Sequence, residues 1–241
     1  VTKLKSLFRA PRSALLFRAL FFAFLLVLLN EAVFAFPLIL LFIAVAGWLY
    51  FGVPGVGRGY GASFAVLAIL IAATGQLISS SLTGVIFVAV FALLFSMLLG
   101  VRMFIFSRRP TVGIFSWSMA YLIFLAVGLV DPWTDVLGRN LVIWLGFFFL
   151  FRDLFETHEV AHARNAYAAV FALIALEAGW IAAFLPFTAF ASSVFAFALT
   201  FGAWEIFERY RAGRISKTSL FWIVAIMYLV IAALISTSNL K

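Results

Sequence analysis

Thr83–Gly100 reads TGVIFVAVFALLFSMLLG, eighteen residues without a single charge. As an α-helix it would rise about 27 Å, close to the ~30 Å hydrocarbon core of a bilayer. A helix on the surface of a water-soluble protein keeps one polar face. Here Thr83 and Ser96 are the only hydroxyls, and apolar residues surround the axis. The residues do not alternate as they would in a membrane barrel strand. The stretch therefore reads as a helix whose solvent is lipid.

The rest of the chain agrees. Of its 241 residues 66% are hydrophobic and 11% are charged, with a mean hydropathy of +1.20. Soluble domains carry about 25% charged residues. The fold class expected is all-α: a polytopic transmembrane helical bundle, one integral membrane domain over residues 1–241. Nine spans are predicted, at 13–34, 36–52, 63–81, 83–106, 112–130, 137–154, 165–185, 188–207 and 218–237. The second and sixth are short, which leaves eight as the alternative count.

Charge orients these spans. With the amino terminus in the cytoplasm, fifteen of the seventeen Lys and Arg residues fall on one side and only Arg139 and Lys241 on the other. That is the asymmetry of cytoplasmic loops. It gives a basic cytoplasmic segment 1–12, a cytoplasmic segment 152–164, a basic cytoplasmic loop 207–217, and a carboxyl terminus outside. The basic residues after Val1 followed by an apolar run resemble the start of a signal peptide. No small-residue cleavage site closes the run, so a retained first span is expected. The net charge of +8 is accounted for by span ends, and no nucleic-acid partner is expected. The expected surroundings are the lipid bilayer of a prokaryotic inner or plasma membrane, with other membrane subunits as candidate partners. The chain has no cysteine, which removes disulfides, thiol catalysis and Cys-type metal sites.

Four segments carry candidate chemistry. In His158-Glu159-Val160-Ala161-His162 both histidines of the chain stand four residues apart around a glutamate. On a helix they would share a face and grip one metal ion, with the glutamate beside its bound water. The run resembles the HExxH helix of zincin metalloproteases, including the site-2 proteases and the membrane-bound heat-shock metalloproteases. The resemblance covers five residues. It implies His158 and His162 as zinc ligands and Glu159 as general base. Site-2 proteases take a third ligand from a later Asp, whereas the last Asp here is Asp153. The gluzincin pattern takes a downstream Glu, for which Glu205 or Glu208 qualifies by topology. The same stretch also reads as an ordinary helix end, with Arg152 and Glu156 as an i,i+4 pair.

Glu177 is the second candidate. A carboxylate inside a span is costly and marks a functional site by default. Gln76, Ser116 and Ser118 are its candidate hydrogen-bond partners. On the same helix Ala168, Ala172, Ala175, Gly179 and Ala183 form a stripe of small residues suited to close packing, and Glu177 points roughly opposite it. The run from Gly55 to Gly61 has glycine at every second residue, unlike a nucleotide-binding loop. Gly61-Ala62-Ser63 resembles the nucleophile turn of rhomboid serine proteases, but Phe64 follows where that turn has glycine. An interhelical turn is the reading adopted. Asp131 and Asp135 in the outer loop offer two carboxylates to a hard cation, but the reading adopted is structural, with Asp135 or Thr134 capping the next helix and Trp133 in the aromatic belt. Two functions follow as expectations: a non-catalytic transporter-like or complex-subunit membrane protein with Glu177 as its membrane-buried polar site, or a zinc-dependent membrane metalloprotease built on His158, Glu159 and His162.

Overall fold

Long apolar runs satisfy their backbone groups internally by coiling. A computed structural model of the chain describes residues 11–31, 36–52, 59–75, 81–129, 136–157, 163–214 and 216–237. Among these residues there are nine α-helices and no strand: α1 Pro11–Glu31, α2 Phe36–Phe51, α3 Gly61–Gly75, α4 Ser81–Arg102, α5 Arg108–Gly128, α6 Val136–Thr157, α7 Arg164–Phe184, α8 Ala189–Arg211 and α9 Lys217–Thr237. The expected helical bundle is what is found. Five helices, α1, α4, α5, α7 and α8, are long and apolar enough to cross a membrane, and α2, α3 and part of α9 are shorter apolar helices. Helix α6 is 22 residues long but carries Arg139, Arg152, Asp153 and Glu156 within it.

The fourth span was expected to run to 106, and the helix stops at Arg102 instead. The reason is a tight turn. The Gly100 carbonyl accepts from the amides of both Ile105 and Phe106, and Phe104 takes a left-handed conformation at φ 55°. The Phe106 ring folds back onto Gly100, where a β-carbon would collide with it. Helix α8 ends in a second sharp device. Gly213, at φ 63°, donates to the Tyr210 carbonyl and Arg214 donates to the Arg209 carbonyl. This paired arrangement satisfies two orphan carbonyls and requires a residue tolerant of positive φ.

The chain divides into two compact units, residues 1–117 and 118–241, with the boundary inside α5. In the first unit α1 packs on α4 and α2, and α3 packs on α4. Phe22, Leu26 and Leu29 form the buried face of α1. Phe22 stacks on Phe95 of α4 at 4.0 Å and tilts against Phe42 of α2 at 5.4 Å. Tyr50 is fully buried, stacks on Phe64 at 4.8 Å, and its hydroxyl donates to the Tyr60 carbonyl. Two cations serve this end of the unit. Arg18 donates to the Leu49 carbonyl in the last turn of α2, and the Arg102 guanidinium lies 4.7 Å from the Tyr50 ring centre. Both fit the preference of helix C-termini and aromatic faces for positive charge.

In the second unit α6 packs on α7, α7 on α8, and α8 on α9. The small-residue stripe of α7 is buried as expected at Ala168, Ala172, Ala175 and Gly179, while Ala183 is half-buried. A β-carbon on Gly179 would lie 3.1 Å from Ile143 of α6, so the two helices approach as closely as a glycine permits. At the other end of the unit Phe151, Phe155, Tyr167, Phe171, Trp204 and Phe207 join α6, α7 and α8 in one aromatic cluster. Phe155 is 1% exposed and faces all five of the other rings directly, at 5.1–6.4 Å. Truncating it opens a cavity that backbone helices cannot close. Phe155→Ala is expected to lower stability by about 3 kcal/mol, whereas Phe184→Ala, on a ring that is 66% exposed, should change it by less than about 0.5 kcal/mol. Equilibrium unfolding in mixed detergent micelles measures both.

Candidate functional site

Of the residues singled out in the sequence, His158, Glu159 and His162 lie outside the described residues, as do Gln76, Asp131 and Asp135. What can be described are their flanks. Helix α6 ends at Thr157, α7 begins at Arg164, and the Glu205–Glu208 turn of α8 lies beside both, because Trp204 and Phe207 pack on Phe155 and Phe171. The flanks of the HExxH segment and both candidate third ligands thus share one end of the second unit.

The carboxylates at this end already have cationic partners. Glu205 is 3.5 Å from Arg209, and Glu208 is 3.9 Å from Arg211, each within its own helix. Glu156 pairs with Arg164 at 2.9 Å. This corrects the expected Arg152–Glu156 pair: the carboxylate reaches across to the start of α7 rather than back along α6. Arg152 keeps a buried Nε with no hydrogen-bond partner among the described residues. Asp153 is 3% exposed and is engaged by a neighbour. Among the described residues no three His, Asp or Glu side chains stand close enough together to hold a metal ion.

Glu177 behaves differently. It is exposed, on the face of α7 opposite the buried alanines, as the stripe implied. Its neighbours at helical spacing on that face are Val170, Leu173, Ile181 and Phe184, all exposed and all apolar. A carboxylate therefore interrupts a continuous apolar stripe. Among the described residues none hydrogen-bonds or ion-pairs with it, Ser118 included. Ser116 is buried in the first unit, its hydroxyl without a partner among the described residues. Ser63, in the glycine-rich segment, is fully buried at the start of α3 and engaged by a neighbour.

One arrangement was not foreseen. At the opposite end of the second unit from the aromatic cluster, a cavity of about 150 Å³ lies among the last turn of α5, the first of α6, the end of α7 and the start of α8. Arg139, Ser192, Ser193 and Gly179 line it together with Phe124 and Ile143. The Arg139 Nη2 donates to the Gly179 carbonyl at 3.2 Å, and its buried Nε has no partner among the described residues. The Ser192 hydroxyl donates to the Ala182 carbonyl at 3.3 Å and Ser193 donates to Ala189 at 2.6 Å. Sequence reading treated Arg139 only as an exception to the charge asymmetry. The available signal was that exception itself, an arginine in the first turn of α6 just ahead of the uncharged run 141–151.

No protein-family model, curated protein or solved structure matches this chain.

The ion pairs at the aromatic end are partly exposed, so each contributes little. Glu156→Gln is expected to lower stability by less than about 1 kcal/mol at low salt and by still less near 1 M salt, where screening shortens to about 3 Å. Paired unfolding titrations at the two salt concentrations measure it.

Proposed function

We propose that this chain is a non-catalytic, polytopic subunit of a membrane complex. On this reading it crosses the bilayer nine times, with its amino terminus in the cytoplasm, and receives a partner helix on the Glu177 face of α7. The carrying observation is the exposed carboxylate in the middle of an apolar stripe. Facing lipid, such a group costs about 2.5–3.5 kcal/mol on insertion scales. A partner helix that presents a Lys, Arg, Asn, Gln or Ser at that depth removes most of this cost and fixes the register of the contact. Glu177 is not among the residues lining the Arg139 cavity, which favours a docking role over a place in a transport path. The nine-span topology is supported by the charge asymmetry and by nine helices whose positions follow the predicted spans.

Solubilisation in a mild detergent followed by native electrophoresis tests the docking role. The wild-type chain is expected to migrate with a stoichiometric partner, Glu177→Gln to retain part of that assembly, and Glu177→Leu to lose it. A wild-type chain that migrates alone, or an assembly indifferent to Glu177→Leu, refutes it.

A second reading is a zinc-dependent membrane metalloprotease. It is favoured by the convergence of the HExxH flanks with Glu205 and Glu208 at one end of the second unit. His158 and His162 would hold zinc, with Glu159 as base. The third ligand would be whichever of Glu205 and Glu208 exchanges its arginine for the metal. Metal analysis of the purified protein decides: about one zinc per chain, lost with His158→Ala, is required by this reading, and a zinc-free protein ends it.

A further inference from the structure

The cavity at Arg139 has the character of a ligand site with a mixed polar and apolar lining. The lining includes a guanidinium whose buried Nε has no partner among the described residues, and Ser192 and Ser193. Phe124, Ile143 and Phe187 line it as well. Its volume, about 150 Å³, is that of a cavity able to take a benzene-sized molecule of about six heavy atoms. No carboxylate lines it among the described residues. A half-buried arginine whose buried Nε–H has no partner among the described residues favours a planar oxyanion over a neutral polar group. The hydroxyls now donate to backbone carbonyls within or next to their own helices, and each keeps acceptor capacity and a rotatable proton for a ligand.

We propose that this cavity binds a small carboxylate with a short apolar body, its carboxylate on Arg139 and its body against Phe124 and Ile143. None of Glu177, Glu205 and Glu208 lines the site. A carboxylate can arrive as a free solute or as the head of a fatty acid; the volume matches the whole of a short free solute, but only the head of a fatty acid. The site depends on the geometry of a single unit and on no particular topology.

Asp135 precedes Arg139 by four residues and lies outside the described residues, so the test includes it. Purified protein in uncharged detergent is titrated with sodium butyrate, against sodium chloride at equal ionic strength, by calorimetry and by thermal shift. Saturable butyrate binding is expected. Arg139→Gln should weaken it at least about tenfold, the worth of a lost charge-assisted hydrogen bond. Ala183→Leu, which fills the cavity but keeps the arginine, should weaken it similarly while leaving the unliganded protein folded. The proposal is overturned if the wild type binds no butyrate or if Arg139→Gln and Ala183→Leu both bind it unchanged. Binding that appears only in Asp135→Asn overturns it too, because Asp135 is then the arginine's own counter-charge. Palmitate bound more tightly than butyrate, and lost with Arg139→Gln, overturns the small-ligand assignment in favour of lipid.

Discussion

Hydrocarbon offers the backbone no hydrogen bonds, and every other feature of this chain follows from that lack. Helices answer it, and once formed they have no hydrophobic incentive to associate, since lipid tails are as apolar as leucine. Cohesion then rests on contact area and on the few polar groups that find partners. The chain meets the first need in two ways. Alanines and Gly179 on α7 let backbones approach closely, and the rings of Phe151, Phe155, Phe171 and Trp204 fill the space where α6, α7 and α8 converge. In the first unit Phe22, Phe95, Tyr50 and Phe64 do the same.

Polar groups are used sparingly and at particular depths. Arg18 and Arg102 attend the end of α2, Glu156 ties the end of α6 to the start of α7, and Arg139 ties the start of α6 to the end of α7. The α6–α7 pair is thus pinned by a charged contact at each end and by small residues between. Glu177 is the exception, a carboxylate turned outward on the same helix. Arg18, Arg102, Arg139 and Glu156 are each matched to a carbonyl, a ring or an opposite charge, whereas Glu177 lies exposed among apolar side chains.

Much of the architecture was legible because composition in lipid leaves few alternatives. Helix positions followed from apolar runs, and the opposed faces of α7 followed from alanine spacing, since period 3.6 separates Ala175 and Glu177 by about 200°. Helix ends were less legible: α4 stops at Arg102 because of a local turn around Gly100, and nothing in the hydropathy of Val101–Phe106 marks it. Partner choice was least legible. Arg152 and Arg164 are both at a reachable spacing from Glu156, and only the packing of α6 on α7 decides for Arg164. The Arg139 cavity draws on four helix ends spread over residues 124–196. No local pattern could have announced it.

The dependence on lipid is open to direct measurement, because the chain contains no cysteine and any introduced thiol is unique. Pro186 and Arg214, both exposed, stand in the connections before and after α8. In intact cells a membrane-impermeant maleimide should label Pro186→Cys at once and Arg214→Cys only after the membrane is opened. Equal labelling of both from one side would mean that α8 does not cross the bilayer, and that the orientation derived from the basic residues is wrong.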